Sequence, residues 1–90
     1  MRVARERIHL DYLPREGVER LDEVSVQRGI SLFAEALGDA GTAHGTPGVI
    51  AAHVDVAGDY AAARGSAIQI ADQALDSAGL GEHFRLDGAR

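Results

Sequence analysis

Residues 47–77 read PGVIAAHVDVAGDYAAARGSAIQIADQALDS, and the predicted architecture depends on this stretch. Thr46 is a suitable helix N-cap, Pro47 suits a first helical position because it lacks an N–H, and Gly79 follows the end. Within the stretch, small and apolar residues recur at alternating spacings of four and three, which is typical of a helical seam. The seam consists of Ile50, Val54, Ala57, Ala61, Arg64, Ile68, Ala71, Leu75 and Ala78. The spacing predicts a helix over 47–78, roughly 45 Å long at 1.5 Å per residue.

A shorter helix is predicted upstream, over 15–40, with a kink near 25–29 where its apolar pattern changes phase. Its apolar stripe includes Ile30, Phe33 and Leu37. The glycine-rich residues 41–46 between the two helices are predicted to form a turn, short enough to make the helices antiparallel neighbours. We therefore predict one all-α domain, a helical hairpin with an N-terminal arm over 1–14 and a tail over 79–90.

The N-terminal arm allows two interpretations. Residues 7–12 alternate polar and apolar side chains, which is a strand pattern, and residues 83–86 alternate in the same sense. The arm is predicted to be helical, and a two-stranded pairing of these segments is the alternative.

The composition excludes several kinds of chemistry. All nine basic residues are arginine, and the chain has neither lysine nor cysteine. It therefore cannot form a lysine Schiff base, use a Walker-type lysine, or build a disulfide, a thiolate nucleophile or a cysteine zinc site. Of its 41 apolar residues, 16 are alanine, which buries little area, so the predicted core is thin and would gain from a partner surface.

The charge argues against nucleic acid as a partner. The formal net charge is −5, whereas nucleic-acid binders neutralise phosphates with clustered cations. No apolar run approaches the ~20 residues that a membrane span needs, and no apolar segment of a signal peptide follows the charged N-terminus. We expect a cytoplasmic protein, or one exported without a cleaved signal peptide.

Few residues form a recognisable chemical site. Glu6 and His9 have the Glu-x-x-His spacing of metal sites in helical bundles, but such sites need a second copy of the motif and further carboxylates. Carboxylates also recur four residues apart on the predicted long helix, in the pairs Asp55 with Asp59 and Asp72 with Asp76. These aspartates are predicted to form a solvent-exposed acidic stripe, with His53 at its rim. We predict no catalytic residues, no cofactor and no metal.

The candidate site is instead an interface with a protein partner. Its predicted members are Ile50, Val54, Ala57, Ala61, Arg64, Ile68, Ala71 and Leu75 on the long helix, and Ile30, Phe33 and Leu37 on the shorter one. Arg64 interrupts the seam, where it either extends to the rim or pairs with an acid on the partner. The partner would be a second copy of the chain or another helical hairpin.

The helix–turn–helix pattern resembles the small helical hairpins of actinobacterial type VII (ESX) secretion, the WXG and EspC-like groups. The turn over 37–45 and the alanine-rich segment that contains Tyr60 carry the resemblance, although no Trp-x-Gly is present and Arg64 stands four residues after Tyr60 where that family has an acid. The resemblance implies a hairpin that pairs with a second hairpin and is exported without a cleaved signal.

We therefore predict a non-enzymatic interaction module that forms a homo- or hetero-oligomeric bundle. Three other functions stay open. The arginine-rich N-terminus could serve a small DNA-binding regulator or antitoxin-type protein, and the acidic, alanine-rich composition also suits a structural subunit of a phage or shell particle. A small bundle metal protein or enzyme would use Glu6, His9 and the paired aspartates.

Overall fold

A computed structural model describes residues 4–90. Within these residues, four strands and two helices follow one another as β1 (Arg5–Pro14), α1 (Glu23–Leu37), β2 (Gly41–Thr46), β3 (Val49–Ala57), α2 (Tyr60–Ser77) and β4 (Phe84–Ala89). A short 3-10 helix, Gly38–Ala40, joins α1 to β2. The protein is therefore α+β, and the predicted all-α helical hairpin is wrong.

The four strands form one antiparallel sheet in the order β2-β3-β1-β4. Each of the two crossovers contains one helix, and β2 and β3 form a hairpin between them. This is the βαββαβ arrangement known as ferredoxin-like, a topology that hosts many unrelated functions. It places β1 and β3 at the centre of the sheet, with neighbours on both sides.

The core lies between the helices and one face of the sheet. Even-numbered side chains of β1 and β3 point to this face because successive residues of a strand alternate. They include Ile8, Leu10, Tyr12, Ile50, Ala52 and Val54, all fully buried. The helices contribute Ile30 and Phe33 from α1 and the small side chains of α2, such as Ala67 and Ala71. The odd-numbered side chains of β1 and β3 form the opposite face.

The predicted long helix over 47–78 is β3 followed by α2. Residues four apart share a face in a strand as well as in a helix, so the spacing of Ile50 and Val54 fits both. Gly58 separates the two elements at φ 118°, a conformation that favours glycine. Asp59 then caps α2 by accepting from the N–H of Ala62 at 2.9 Å. The C-terminal end of the predicted helix, near Ser77, is confirmed.

The glycine-rich segment predicted as a turn is the edge strand β2. Gly41 and Gly45 lie against the backbone of β3, where an added Cβ would collide with the carbonyl oxygens of His53 and Val49. Glycine therefore permits the close pairing of these strands. The chain reverses after Thr46, whose hydroxyl accepts from the N–H of Gly48 at 3.1 Å, and so the residue predicted as a helix cap stands at a hairpin turn.

The shorter predicted helix is partly confirmed. α1 begins at Glu23, and Asp22 caps it by accepting from the N–H of Ser25 at 2.7 Å. The phase change that predicted a kink near 25–29 arises because Leu21 precedes the helix, and α1 is continuous through this region. Gly29 faces Leu80, whose side chain occupies the space that a side chain at position 29 would need.

The segments at the two ends of the chain are paired strands. β1 pairs with β4, which brings Tyr12 opposite Leu86 and Pro14 opposite Phe84. The helical prediction for the N-terminal arm is wrong, and the alternative of two paired segments is confirmed. Part of the arm, residues 1–3, lies outside the described residues. The predicted tail over 79–90 contains β4.

Candidate functional site on the open face of the sheet

Both helices described in residues 4–90 pack on one face of the sheet, and we call the opposite face the open face. It is built from odd-numbered side chains of the two central strands, with His9 opposite His53, Arg7 opposite Asp55, and Asp11 opposite Ala51. The alternation that buries Ile8 and Leu10 places these polar groups together. The open face is therefore polar at its centre.

Asp11, His9 and His53 form a continuous chain of hydrogen bonds, which we call the histidine relay. Nε2 of His9 lies 2.9 Å from Oδ1 of Asp11, and Nδ1 of His9 lies 2.7 Å from Nε2 of His53. The side chains of His9 and Asp11 are only 29% and 20% exposed. Three groups are thus held in one fixed order across two strands.

The chemistry of these groups assigns the protons in the neutral relay. An ionised carboxylate only accepts, so Nε2 of His9 carries a proton and donates it to Asp11. Nδ1 of a neutral His9 must then accept from Nε2–H of His53. This arrangement leaves Nδ1 of His53 unprotonated, with a lone pair that can accept a hydrogen bond.

His53 is held in its neutral form. Its pKa is lowered from the ordinary value of 6.5, first by desolvation and then by the charges of His9, His44 and Arg7, while Asp11 opposes them. The ring of His44, from β2, stacks on that of His53 with centroids 5.9 Å apart and an interplanar angle of 12°. Nδ1 of His53 is therefore an acceptor at neutral pH.

An ion pair adjoins the relay. Nε of Arg7 donates to Oδ1 of Asp55 at 3.0 Å, and Nη2 lies 3.5 Å from Oδ2. The pairing raises the pKa of Arg7 and lowers that of Asp55. Because Arg7 and Asp55 face each other across β1 and β3, the carboxylate fixes the direction of the guanidinium.

A cavity of about 140 Å³ lies between the ion pair and the relay. It is lined by Arg7, Gly41, Thr42, His53 and Asp55. The lining offers a guanidinium, a hydroxyl, a neutral imidazole and the carboxylate of Asp55, which is paired with Arg7. Such groups orient a small polar ligand. This cavity, together with the histidine relay, is the candidate functional site.

Arg90 anchors the other end of the relay. Its N–H and carbonyl exchange hydrogen bonds of 2.8 and 2.7 Å with His9, and Nη2 lies 3.1 Å from Oδ2 of Asp11. Asp11 therefore receives Nε2–H of His9 on one oxygen and a guanidinium on the other.

A second cavity, of about 160 Å³, lies on the core side of β1. The buried hydroxyl of Tyr12 donates to Oδ1 of Asp72 there at 2.8 Å. Burial, and then this hydrogen bond, raise the pKa of Tyr12 far above its usual range. Asp72 therefore anchors a core residue although it is itself exposed, as predicted, and Asp59 of the same predicted stripe is exposed and caps a helix.

The Glu-x-x-His spacing of Glu6 and His9 does not bring the two side chains together. Glu6 and His9 are three residues apart on a strand, so their side chains leave opposite faces of the sheet. Within residues 4–90, no three histidine, aspartate or glutamate side chains are arranged to hold a metal ion.

The predicted interface residues have several different settings. Most are buried in the core of the chain itself: Ile30, Phe33, Leu37, Ile50, Val54, Ala71 and Leu75. Ile68 is partly buried against the same core, and Ala57 and Ala61 are exposed. Arg64 donates from Nε to the carbonyl of Ala89 at 2.9 Å and so joins α2 to β4. The structure brings these residues into no common exposed surface.

Sequence reasoning missed His53 as a site residue because it placed that residue on a helix. The available signal was a matched alternation: residues 7–11 read Arg-x-His-x-Asp, and residues 51–55 read Ala-x-His-x-Asp. Two alternating segments with a central histidine each would meet at those histidines if they paired antiparallel, as they do.

Comparisons of the chain with protein-family models, curated proteins and solved structures found no match. The resemblance to type VII secretion hairpins is wrong, because the segments that carried it are an edge strand, a central strand and one helix of an α+β fold. Neither helix described in residues 4–90 is long and apolar enough to cross a membrane.

Proposed function

We propose that the protein binds a small organic anion, of the size of a short carboxylic acid, on the open face of its sheet. The observation that carries this proposal is the cavity in which Arg7, Thr42 and His53 converge. Its volume of about 140 Å³ is below the ~300 Å³ at which pockets for drug-sized ligands begin, which favours a ligand of few atoms.

Arg7 is the group that would recognise the anion. A guanidinium has five N–H donors, and Asp55 engages only Nε and one donor of Nη2. The remaining donors can form the paired hydrogen bonds that arginine makes with carboxylates. Asp55 keeps the guanidinium plane fixed, so less side-chain entropy is lost when a ligand binds.

The charge distribution supports an anionic ligand. The whole chain has a formal charge of −5, yet the open face and its margin carry four arginines and three aspartates. These residues are Arg5, Arg7, Arg85 and Arg90 beside Asp11, Asp55 and Asp87. The acidic excess therefore lies elsewhere, and the open face does not repel an anion through its own net charge.

Binding of a protein partner stays a prediction. It depended on a continuous apolar helix over 47–78, which β3 and α2 replace. The large apolar side chains that are exposed within residues 4–90 belong to several separate elements: Val18, Val24, Leu32, Val49 and Tyr60. They supply no observation that favours partner binding over ligand binding.

The test is a titration of the protein with acetate and with pyruvate, followed by NMR of the backbone and imidazole resonances. We expect shifts centred on Arg7, Thr42 and His53, because these residues line the cavity. Arg7→Gln should raise the Kd about tenfold or more, since a charged hydrogen bond contributes ~1.5–3 kcal/mol.

Arg28→Gln is the matched control, because it removes an exposed arginine from α1 and leaves the open face unchanged. It should bind the probes as the wild type does. Equal weakening by both substitutions would indicate general charge attraction, and an absence of shifts at the cavity for either probe would contradict the proposal.

A further inference from the structure

We infer that His53 is a general base, positioned by His9 and Asp11, and that the bound anion is a 2-oxo acid such as pyruvate. His53 removes a proton from the carbon next to the ketone carbonyl of this acid. This inference rests on the proposed anion site and adds a reaction to it. The observation that carries it is the histidine relay, whose hydrogen bonds of 2.9 and 2.7 Å end at a residue of the cavity.

The relay prepares one nitrogen for this step. Asp11 fixes the proton of His9 on Nε2, and His9 in turn fixes that of His53 on Nε2. The remaining ring nitrogen, Nδ1 of His53, keeps its lone pair. An imidazole that is neutral near pH 7, as the lowered pKa of His53 makes it, is suited to general-base catalysis.

The step balances without a further reactant. The C–H bond next to the carbonyl breaks, its electron pair forms the carbon–carbon double bond of an enolate, and the proton passes to Nδ1 of His53. The negative charge moves to the former carbonyl oxygen, and the carboxylate stays with Arg7. Return of a proton from Nδ1 to carbon regenerates the oxo acid and the neutral imidazole.

Asp11 also favours the charge that the step creates. A protonated His53 donates from Nε2 to His9, which donates to the carboxylate of Asp11. Arg7 and Asp55 lie beside the cavity, Arg90 lies at the far oxygen of Asp11, and the ring of His44 stacks on that of His53. Asp11 raises the pKa of His53, whereas the charges of His9, His44 and Arg7 lower it.

The experiment measures exchange of the methyl protons of pyruvate in D₂O by ¹H NMR, with the intact protein. We expect wild-type protein to accelerate exchange over buffer. His53→Gln should reduce that acceleration about 100-fold or more, the scale of general-base contributions, while pyruvate still shifts the Arg7 resonances. His83→Gln, which changes a histidine outside the open face, should exchange as the wild type does.

His9 acts through His53, so its test includes a readout of the proton on His53. Nδ1 of His9 accepts from Nε2–H of His53 at 2.7 Å and so holds that proton on Nε2. His9→Ala should reduce the exchange rate and move part of the proton of neutral His53 to Nδ1, which the ¹⁵N shifts of the His53 imidazole measure. A reduced rate with an unchanged proton distribution would overturn the positioning role.

The outcomes separate the two proposals. Pyruvate binding at the cavity without any acceleration of exchange overturns the general base and leaves the anion site intact. Acceleration that survives in His53→Gln overturns His53 as the base. Absence of both binding and exchange overturns both proposals.

Discussion

Two glycines within the helices have opposite surroundings, and the difference is visible only at the scale of single atoms. A Cβ on Gly29 of α1 would lie 2.5 Å from Cδ2 and 2.9 Å from Cγ of Leu80, a residue that is 1% exposed. A Cβ on Gly65 of α2 would meet no atom within 4 Å. Gly29 is therefore required by packing, whereas Gly65 has no packing role.

These surroundings predict opposite effects of alanine. Gly29→Ala should lower the free energy of unfolding by about 1 kcal/mol, because overpacking costs ~1–3 kcal/mol and the gain in helix propensity offsets ~1 kcal/mol of it. Gly65→Ala should raise the free energy of unfolding by about 1 kcal/mol. Urea denaturation of both variants checks this, and equal shifts in one direction would contradict the assigned role of Gly29.

At the scale of elements, the start of α2 is set by the side chain of Asp59, which caps the helix. Asp59 follows Gly58 and has extended backbone angles, φ −71° and ψ 171°, while its carboxylate accepts from the N–H of Ala62. The first N–H groups of a helix have no partner within the helix, so this bond satisfies one of them.

Removal of this cap should destabilise the protein. Asp59→Ala should lower the free energy of unfolding by about 1 kcal/mol, because it leaves a helix N–H without its acceptor. Asp59→Asn is the control, since asparagine caps about as well as aspartate. Thermal unfolding followed by circular dichroism checks both, and an Asn variant as unstable as the Ala variant would show that the charge matters more than the cap.

The elements were predictable to different degrees. α1 and the end of α2 follow from helical spacing, because Val26, Ile30 and Phe33 recur at spacings of four and three, which a strand cannot place on one face. The spacing of Ile50 and Val54 could not distinguish β3 from a helix, since residues four apart share a face in both. The β-branched residues of β3 were the better signal, because they favour strands.

The site was less predictable than the elements. His9 and His53 are 44 positions apart, and only the pairing of β1 with β3 brings them within 2.7 Å. A strand register is set by the burial of the opposite face, here Ile8 against Val54, and that burial depends on both helices. The site could therefore be predicted only after the whole topology.

At the scale of the whole molecule, His53 couples global stability to pH. Its pKa in the folded protein lies below the ordinary 6.5, so the unfolded chain binds a proton more readily. The stabilising contribution is complete above pH 6.5 and is lost as the pH falls through 6.5 towards the folded pKa.

We therefore expect the urea midpoint of the wild type to fall between pH 7.5 and pH 5.5, and to fall less in His53→Gln. This range lies above the titration of ordinary aspartates, which limits their influence. The same decrease in both proteins would show that His53 does not cause the pH dependence.

β1 links the histidine relay to the core of the protein. Its even positions form part of the core and its odd positions carry His9 and Asp11, while β3 and β4 hold it from both sides. The backbone that carries the histidine relay therefore cannot unfold locally without unfolding of the whole sheet. Amide hydrogens of β1 and β3 should exchange only through global unfolding, and any molecule that occupies the open face would slow them throughout both strands.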